Sequence, residues 1–329
     1  MTRKILNLFL FFGLNEIWAQ ADCSNTGESL TPLIDLATTY NDSTGGLYRN
    51  GSNTIPAAHD SIGRVRALEV APRDANGLVK WDGTGKIVLL TVGGSTIDRP
   101  SFFMVDTLAA MTARVRPDLV FVNGGVVGTG NLNNVAKTTH SYWTSNIADS
   151  LAAKSVTLNQ VQVIIVETIF NDTGPFNSIV AQDRDTLKAA AQRWQSHMPN
   201  LKLVLVDSRP YGGYAPVGNN QEPVWYQRSS FGHRAAIMAS VTRAAGYSPV
   251  KSKNGRGNGM GEAAYMVWLS YSYADGTTAR NDGLLWNCSD YEDGVHLAQT
   301  GRRKQVTGWL NFLLNNPIGK PWFLRNPKL

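Results

Sequence analysis

The sequence predicts an α/β fold on a doubly wound, mostly parallel sheet, and three observations carry that prediction. Short apolar runs alternate with helical segments along the middle of the chain. The runs are nearly uninterrupted, the pattern of strands buried on both faces of a parallel sheet. Each run ends in small or polar residues, so the following loops gather on one rim, where open α/β sheets hold their ligands.

The first run is Ile87–Val92, within KIVLLTVGGSTID. Gly93 and Gly94 permit a sharp turn, after which Ser95 is presented to the rim. A Gly-Gly-Ser turn that only links strand to helix fits the same residues. Pro100 and a helical pattern from near Ser101 follow; Met104, Leu108, Met111 and Val115 recur at helical spacing, and Pro117 stops the helix. Leu119–Val122 is the second run and leads into Asn123-Gly124-Gly125-Val126-Val127-Gly128. A helix is expected within Tyr142–Lys154. The third run, Val161–Val166, enters Glu167-Thr168-Ile169-Phe170-Asn171-Asp172 and precedes a helix over Ile179–His197. Leu201–Val206 is the fourth, followed by a loop through Tyr211 and Tyr214.

Beyond it a helix is expected over Tyr226–Ala245 and a surface loop over Lys251–Gly261. Tyr265–Tyr273 reads as a fifth strand or as a helix. A final helix from about Ala298 carries Val306, Leu310 and Leu313 on one face. Ahead of the sheet, residues 22–85 are rich in Gly, Asn, Asp, Ser, Thr and Pro. They read as a loop-rich layer wrapped on the main fold, with a short helix over Leu30–Thr38 and a short strand over Val65–Val70.

Composition excludes some partners. With 43% hydrophobic and 17% charged residues, the chain has the make-up of a folded globular protein rather than a disordered one. The net charge of +6 is spread out, with Arg302-Arg303-Lys304 the only run of three basic residues, which argues against a nucleic-acid footprint. It leaves room for weak attraction to anionic polysaccharide or membrane surfaces. At the N-terminus, Arg3 and Lys4 precede the apolar run Ile5–Leu14, and Ala19-Gln20-Ala21 places small residues where a signal peptidase cuts. That run is too short for a permanent membrane span. Residues 1–21 therefore read as a signal peptide, cleaved near Ala21, and the protein as secreted or periplasmic. In such an oxidising compartment the two cysteines, Cys23 and Cys288, are expected to pair.

Among five histidines, only His296 has a carboxylate three residues earlier with a glycine between, in Asp293-Gly294-Val295-His296. On one turn Asp293 can hold one ring nitrogen while the other faces a serine hydroxyl, which needs such a base to become nucleophilic. A helix-entry turn with Asp293 as cap accounts for Asp293 alone. Gly93-Gly94-Ser95, Asn123–Gly128, Asn171 and Asp293–His296 together resemble, in order, the four blocks of the SGNH/GDSL serine hydrolases, a family of esterases and lipases. The resemblance covers about Lys86–Leu314. Two positions depart from it: Gly94 stands where the family usually has aspartate, and Ile169 where the third block normally has glycine.

The resemblance implies a three-layer, five-stranded flavodoxin-like sheet in a catalytic domain over residues 86–329. It implies Ser95 as nucleophile, His296 as base and Asp293 as its orienter. The Ser95 and Gly128 amides and the Asn171 side chain become oxyanion donors. Tyr211, Tyr214 and Trp225 are expected to flank the site and contact substrate. No metal-ligand spacing and no phosphate-loop Lys-Ser/Thr appears, so no cofactor is expected. The expected substrate is an acetyl or short acyl ester on carbohydrate. A lipase or lysophospholipase is the rival enzyme, and a catalytically silent glycan-binding module the rival of another class.

Overall fold

The computed structural model describes residues 20–168, 174–216, 229–239 and 264–327. Its centre is a five-stranded, wholly parallel sheet of β1 (Ile87–Gly93), β2 (Leu119–Val122), β3 (Val161–Glu167), β4 (Leu203–Val206) and β5 (Tyr265–Trp268). The spatial order is 2-1-3-4-5, the flavodoxin-like arrangement of doubly wound folds. The winding direction reverses between β1 and β3, which opens a crevice at the carboxyl ends of those two strands.

Every residue of β1 and β3 is buried, as their continuous apolar runs require. Alternate side chains feed two separate cores. Val88, Leu90 and Val92 pack on one face with Leu187, Ala190 and Trp194 of α3 (Phe176–His197). Ile87 and Leu89 pack on the other with Ile97 and Met104 of α2 (Ser95–Ala110) and Val306 and Trp309 of α4 (Gln299–Asn315). α1 (Ala57–Leu68) joins the second core through Ala67, and Leu33 and Tyr48 join the first.

Several elements differ from their sequence reading. Val65–Val70 is not a strand; most of it lies in α1, whose buried face is His59, Gly63 and Ala67. That four-residue spacing carries no large apolar side chain, so no periodic signal marks it. Leu30–Thr38 is a turn rather than a helix. Two of its backbone donors are taken from outside, the Leu30 amide by Asp275 at 3.2 Å and the Leu33 amide by the Tyr271 hydroxyl at 2.9 Å, and the Asp35 and Leu36 amides close a turn on the Pro32 carbonyl. α2 begins at Ser95 and not near Ser101, with Pro100 inside it. Pro100 removes only one helical hydrogen bond there. Of Tyr265–Tyr273, the strand is Tyr265–Trp268. Residues 229–239 are helical; the remainder of the expected 226–245 helix, the expected signal peptide up to residue 19 and the expected loop 251–261 lie outside the described residues. No helix among the described residues is long and apolar enough to cross a membrane. Cys23 and Cys288 form a disulfide, with Cα atoms 5.4 Å apart.

Candidate active site

Ser95 is the first residue of α2, immediately after the β1 turn. The turn works only with glycine: a Cβ at Gly93 would lie 2.2 Å from the Glu167 carbonyl oxygen. The Gly93 amide donates to the fully buried Tyr142 hydroxyl at 3.0 Å, and that hydroxyl donates to the Gly124 carbonyl at 2.7 Å. The Gly93 carbonyl accepts from the Val126 amide at 3.1 Å. The turn before Ser95 is thus fastened to the loop after β2. At a helix start, the first amides lack helical partners and carry the positive end of the dipole, which suits them to a developing negative charge.

A second loop faces this turn. The His296 Nε2 atom lies 2.7 Å from Ser95 Oγ, and His296 Nδ1 lies 2.6 Å from Asp293 Oδ2. With Nδ1–H donating to the carboxylate, Nε2 is left as the acceptor for the serine hydroxyl. The other Asp293 oxygen accepts the His296 amide at 2.7 Å and the Val295 amide at 3.0 Å. Burial pushes the Asp293 carboxyl up, but hydrogen bonds from the His296 ring and from the two amides outweigh it and hold the group below its ordinary value. Gly294, at φ +86°, makes the hairpin between them possible. A Cβ there would sit 1.9 Å from the Tyr214 carbonyl oxygen.

The other histidines are committed elsewhere. His59 and His233 are buried, with Nε2 donating to the carbonyls of Met266 at 2.7 Å and Thr168 at 2.9 Å. Burial brings both rings down to about 4. His140 Nδ1 accepts from the Tyr142 amide, and His197 packs edge-on against Trp143.

Gly128 lies on an exposed turn at φ +76°. The glycine pressed against the serine turn is Gly130, where a Cβ would stand 1.9 Å from the Gly93 oxygen and 2.2 Å from the Gly94 nitrogen. Thr168 Oγ1 donates to the Gly130 carbonyl at 2.9 Å. Asn171, Ile169 and Trp225 lie outside the described residues. Tyr211 and Tyr214 are not rim residues: both are fully buried, and their hydroxyls donate to Asn25 at 3.1 Å and to the Trp286 carbonyl at 2.7 Å. They pack against each other and Trp286 beneath the Asp293–His296 loop, leaving no ring face for a ligand.

Sequence reading also passed over a buried polar layer under the site. Thr96 Oγ1 donates to Glu167 Oε1 at 2.7 Å, and Arg209 pairs with the same oxygen at 3.0 Å. Gln305 of α4 donates to both Glu167 and Asp207, at 3.0 and 3.1 Å, and Trp309 Nε1 donates to Asp207 at 2.6 Å. Burial, with the charge of Glu167, pushes Asp207 up to about 7 against the donors that favour its charged form. This layer ties the start of α2 to α4, the helix that follows His296. Its only sequence signal is that Glu167 and Asp207 stand where apolar strands end. On the outer side of α2, Asp98 accepts from Asn123 Nδ2 at 2.7 Å. Burial raises its carboxyl, a push only partly offset by Asn123 and by the nearby charges of Arg99, Arg302 and His296.

No protein-family model matches the chain, and none of the curated proteins does. Among solved structures, the chain is similar to the crystal structure of a carbohydrate esterase family 3 protein from Talaromyces cellulolyticus. That match has 12% identity, covers 70% of this chain and 98% of the other, and has a TM-score of 0.37.

Proposed function

We propose that the chain is a secreted serine esterase that hydrolyses carboxylic esters through Ser95, His296 and Asp293. The observation that carries this reading is the pair of contacts made by one imidazole, 2.7 Å to the Ser95 hydroxyl and 2.6 Å to the Asp293 carboxylate. In the first half-reaction Ser95 Oγ attacks the ester carbonyl while His296 Nε2 takes the hydroxyl proton. Asp293 keeps Nδ1–H in place and stabilises the imidazolium that forms. The tetrahedral oxyanion is held by the Ser95 amide at the start of α2, with the Gly128 amide and the Asn171 side chain as further donors. His296 then returns the proton to the departing alcohol, leaving acyl-Ser95. A water, deprotonated by the same nitrogen, releases the acid and restores the serine.

The catalytic domain is residues 86–329, with residues 22–85 packed on it. Secretion is supported by the N-terminal pattern of residues 1–21 and by the Cys23–Cys288 disulfide. The favoured substrates are acetyl or short acyl esters of carbohydrate, in keeping with secretion and with a polar surround of Asp98, Asn123 and the Glu292–Arg302 ion pair. Hydrolysis of p-nitrophenyl esters of graded chain length and of acetylated sugars tests the reading. Ser95→Ala and His296→Ala should each lower kcat by roughly 10⁴-fold or more, with the melting temperature little changed. Short acyl chains should be preferred; preference for long chains would favour a lipase, and undiminished hydrolysis in Ser95→Ala would reject the mechanism.

A further inference from the structure

A second concave site lies on the opposite face of the sheet from α2. It is a groove of about 700 Å³ between α3, the helical residues 229–239 and the turn at Arg49-Asn50, a size typical of ligand sites. Three separate elements deliver cations to it: Arg184 and Lys188 from α3, one helical turn apart, Arg234 from the facing helix, and Arg49 from the turn. One carboxylate, Asp185, stands among these four positive groups.

The cations differ in how they are held. Arg234 is anchored: its guanidinium donates to the carbonyls of Thr44, Gly45 and Gly46 and lies over the Phe231 ring at 5.1 Å. Burial lowers its pKa, so an added negative charge nearby would be favourable. Arg184 instead forks onto its exposed neighbour Asp185, at 2.9 and 2.7 Å. An exposed pair of that kind contributes little, so Arg184 can turn to an incoming anion at small cost. The guanidinium fork suits planar carboxylates and sulfates.

We propose that this groove binds an anionic oligosaccharide, with Arg49, Arg184, Lys188 and Arg234 taking its carboxylate or sulfate groups and Asn50 its hydroxyls. Three features favour a sugar polyanion over other anionic polymers. Its cations are set around an open groove between helices rather than spread along one continuous surface, as a bilayer would require. Its described lining contains no aromatic ring on which nucleobases could stack. Asn50 and Thr44 set neutral polar groups among the charges. The inference is independent of the esterase reading, because the groove shares no residue with the Ser95 site.

The test is binding by the full chain of a heparin-derived oligosaccharide, an oligogalacturonate and a neutral oligosaccharide of equal length, followed by calorimetry at low and physiological salt. The same titration is run with phosphatidylserine vesicles and single-stranded DNA. The wild type should bind at least one of the two anionic sugars, with affinity falling as salt rises; which one identifies carboxylate or sulfate as the preferred group. Arg184→Ala/Lys188→Ala should weaken that binding by about tenfold or more. Arg64→Ala/Lys137→Ala, which removes the same charge elsewhere, should leave it unchanged. If the α3 pair does not fold, Arg49→Ala alone should still weaken binding severalfold. No binding of either anionic sugar, equal loss in the control pair, or tighter binding of vesicles or DNA would overturn the proposal.

Discussion

Two loops meet at the Ser95–His296 contact, and they are built on opposite principles. The Gly93–Ser95 turn is an outgrowth of the sheet. β1 is buried on both faces, its register is set by two parallel neighbours, and Tyr142 pins its last residue. The segment carrying Asp293 and His296 has almost no regular structure; a three-residue 3₁₀ turn, Cys288–Asp290, is its only helix before α4. It is held instead by tethers. Cys288 is bonded to Cys23, the Asp22 amide donates to the Tyr214 carbonyl at 2.9 Å, and Gly294 presses on that same carbonyl. Lys304 of α4 pairs with Asp290 at 2.5 Å. One half of the site inherits its geometry from the core, and the other from a few discrete links. Damage to the core contacts behind the first loop should therefore cost stability more than aim, and damage to the Asp293–His296 hairpin should cost aim more than stability.

A single methyl breaks the second loop alone. Gly294→Ala forces a Cβ against the Tyr214 carbonyl at a positive φ, which moves His296 relative to Ser95. Displacements near 1 Å cost on the order of 10² in rate, so kcat should fall by about that factor while circular dichroism stays native. Retained kcat would mean the hairpin is not what aims the imidazole.

Next comes the covalent tether. Cys23→Ser/Cys288→Ser should reduce unfolding free energy by about 2–4 kcal/mol, read from urea denaturation. Activity at low temperature should fall by less than in Gly294→Ala, because the Asp293–His296 bonds survive. Unchanged stability would show that the N-terminal link contributes nothing.

Legibility cut across the two loops and followed distance along the chain. The strand ends and Ser95 were readable because β-branched apolar runs and glycine turns are local signals. The Asp-x-x-His spacing was readable too, and the structure closes it into one hydrogen-bonded turn. Tyr142, Gly130, Thr168 and the Glu167–Gln305–Asp207 layer were not, because each acts through contacts tens to hundreds of residues away in sequence. Tyr211 and Tyr214 were misread for a related reason: aromatics beside rim glycines suit a ligand platform and a buried tether equally, and only tertiary packing distinguishes them. α1 escaped because its buried face is His, Gly and Ala.

The smallest effect sharpens the first loop. Tyr142→Phe strips the partner from the Gly93 amide and from the Gly124 carbonyl, both in the interior. Leaving such groups unpaired costs about 1–3 kcal/mol, so the melting temperature should drop. kcat should fall only severalfold, with KM nearly constant, since the turn keeps its Val126 bond. A large kcat loss without destabilisation would place Tyr142 closer to the chemistry than its burial suggests.

Activation of Ser95 by His296 can be read from mass-spectrometric mapping after reaction with a fluorophosphonate. One label per chain is expected, on the peptide containing Ser95, and none in His296→Ala under the same conditions. Labelling at another serine, or equal labelling of Ser95 without His296, would contradict it.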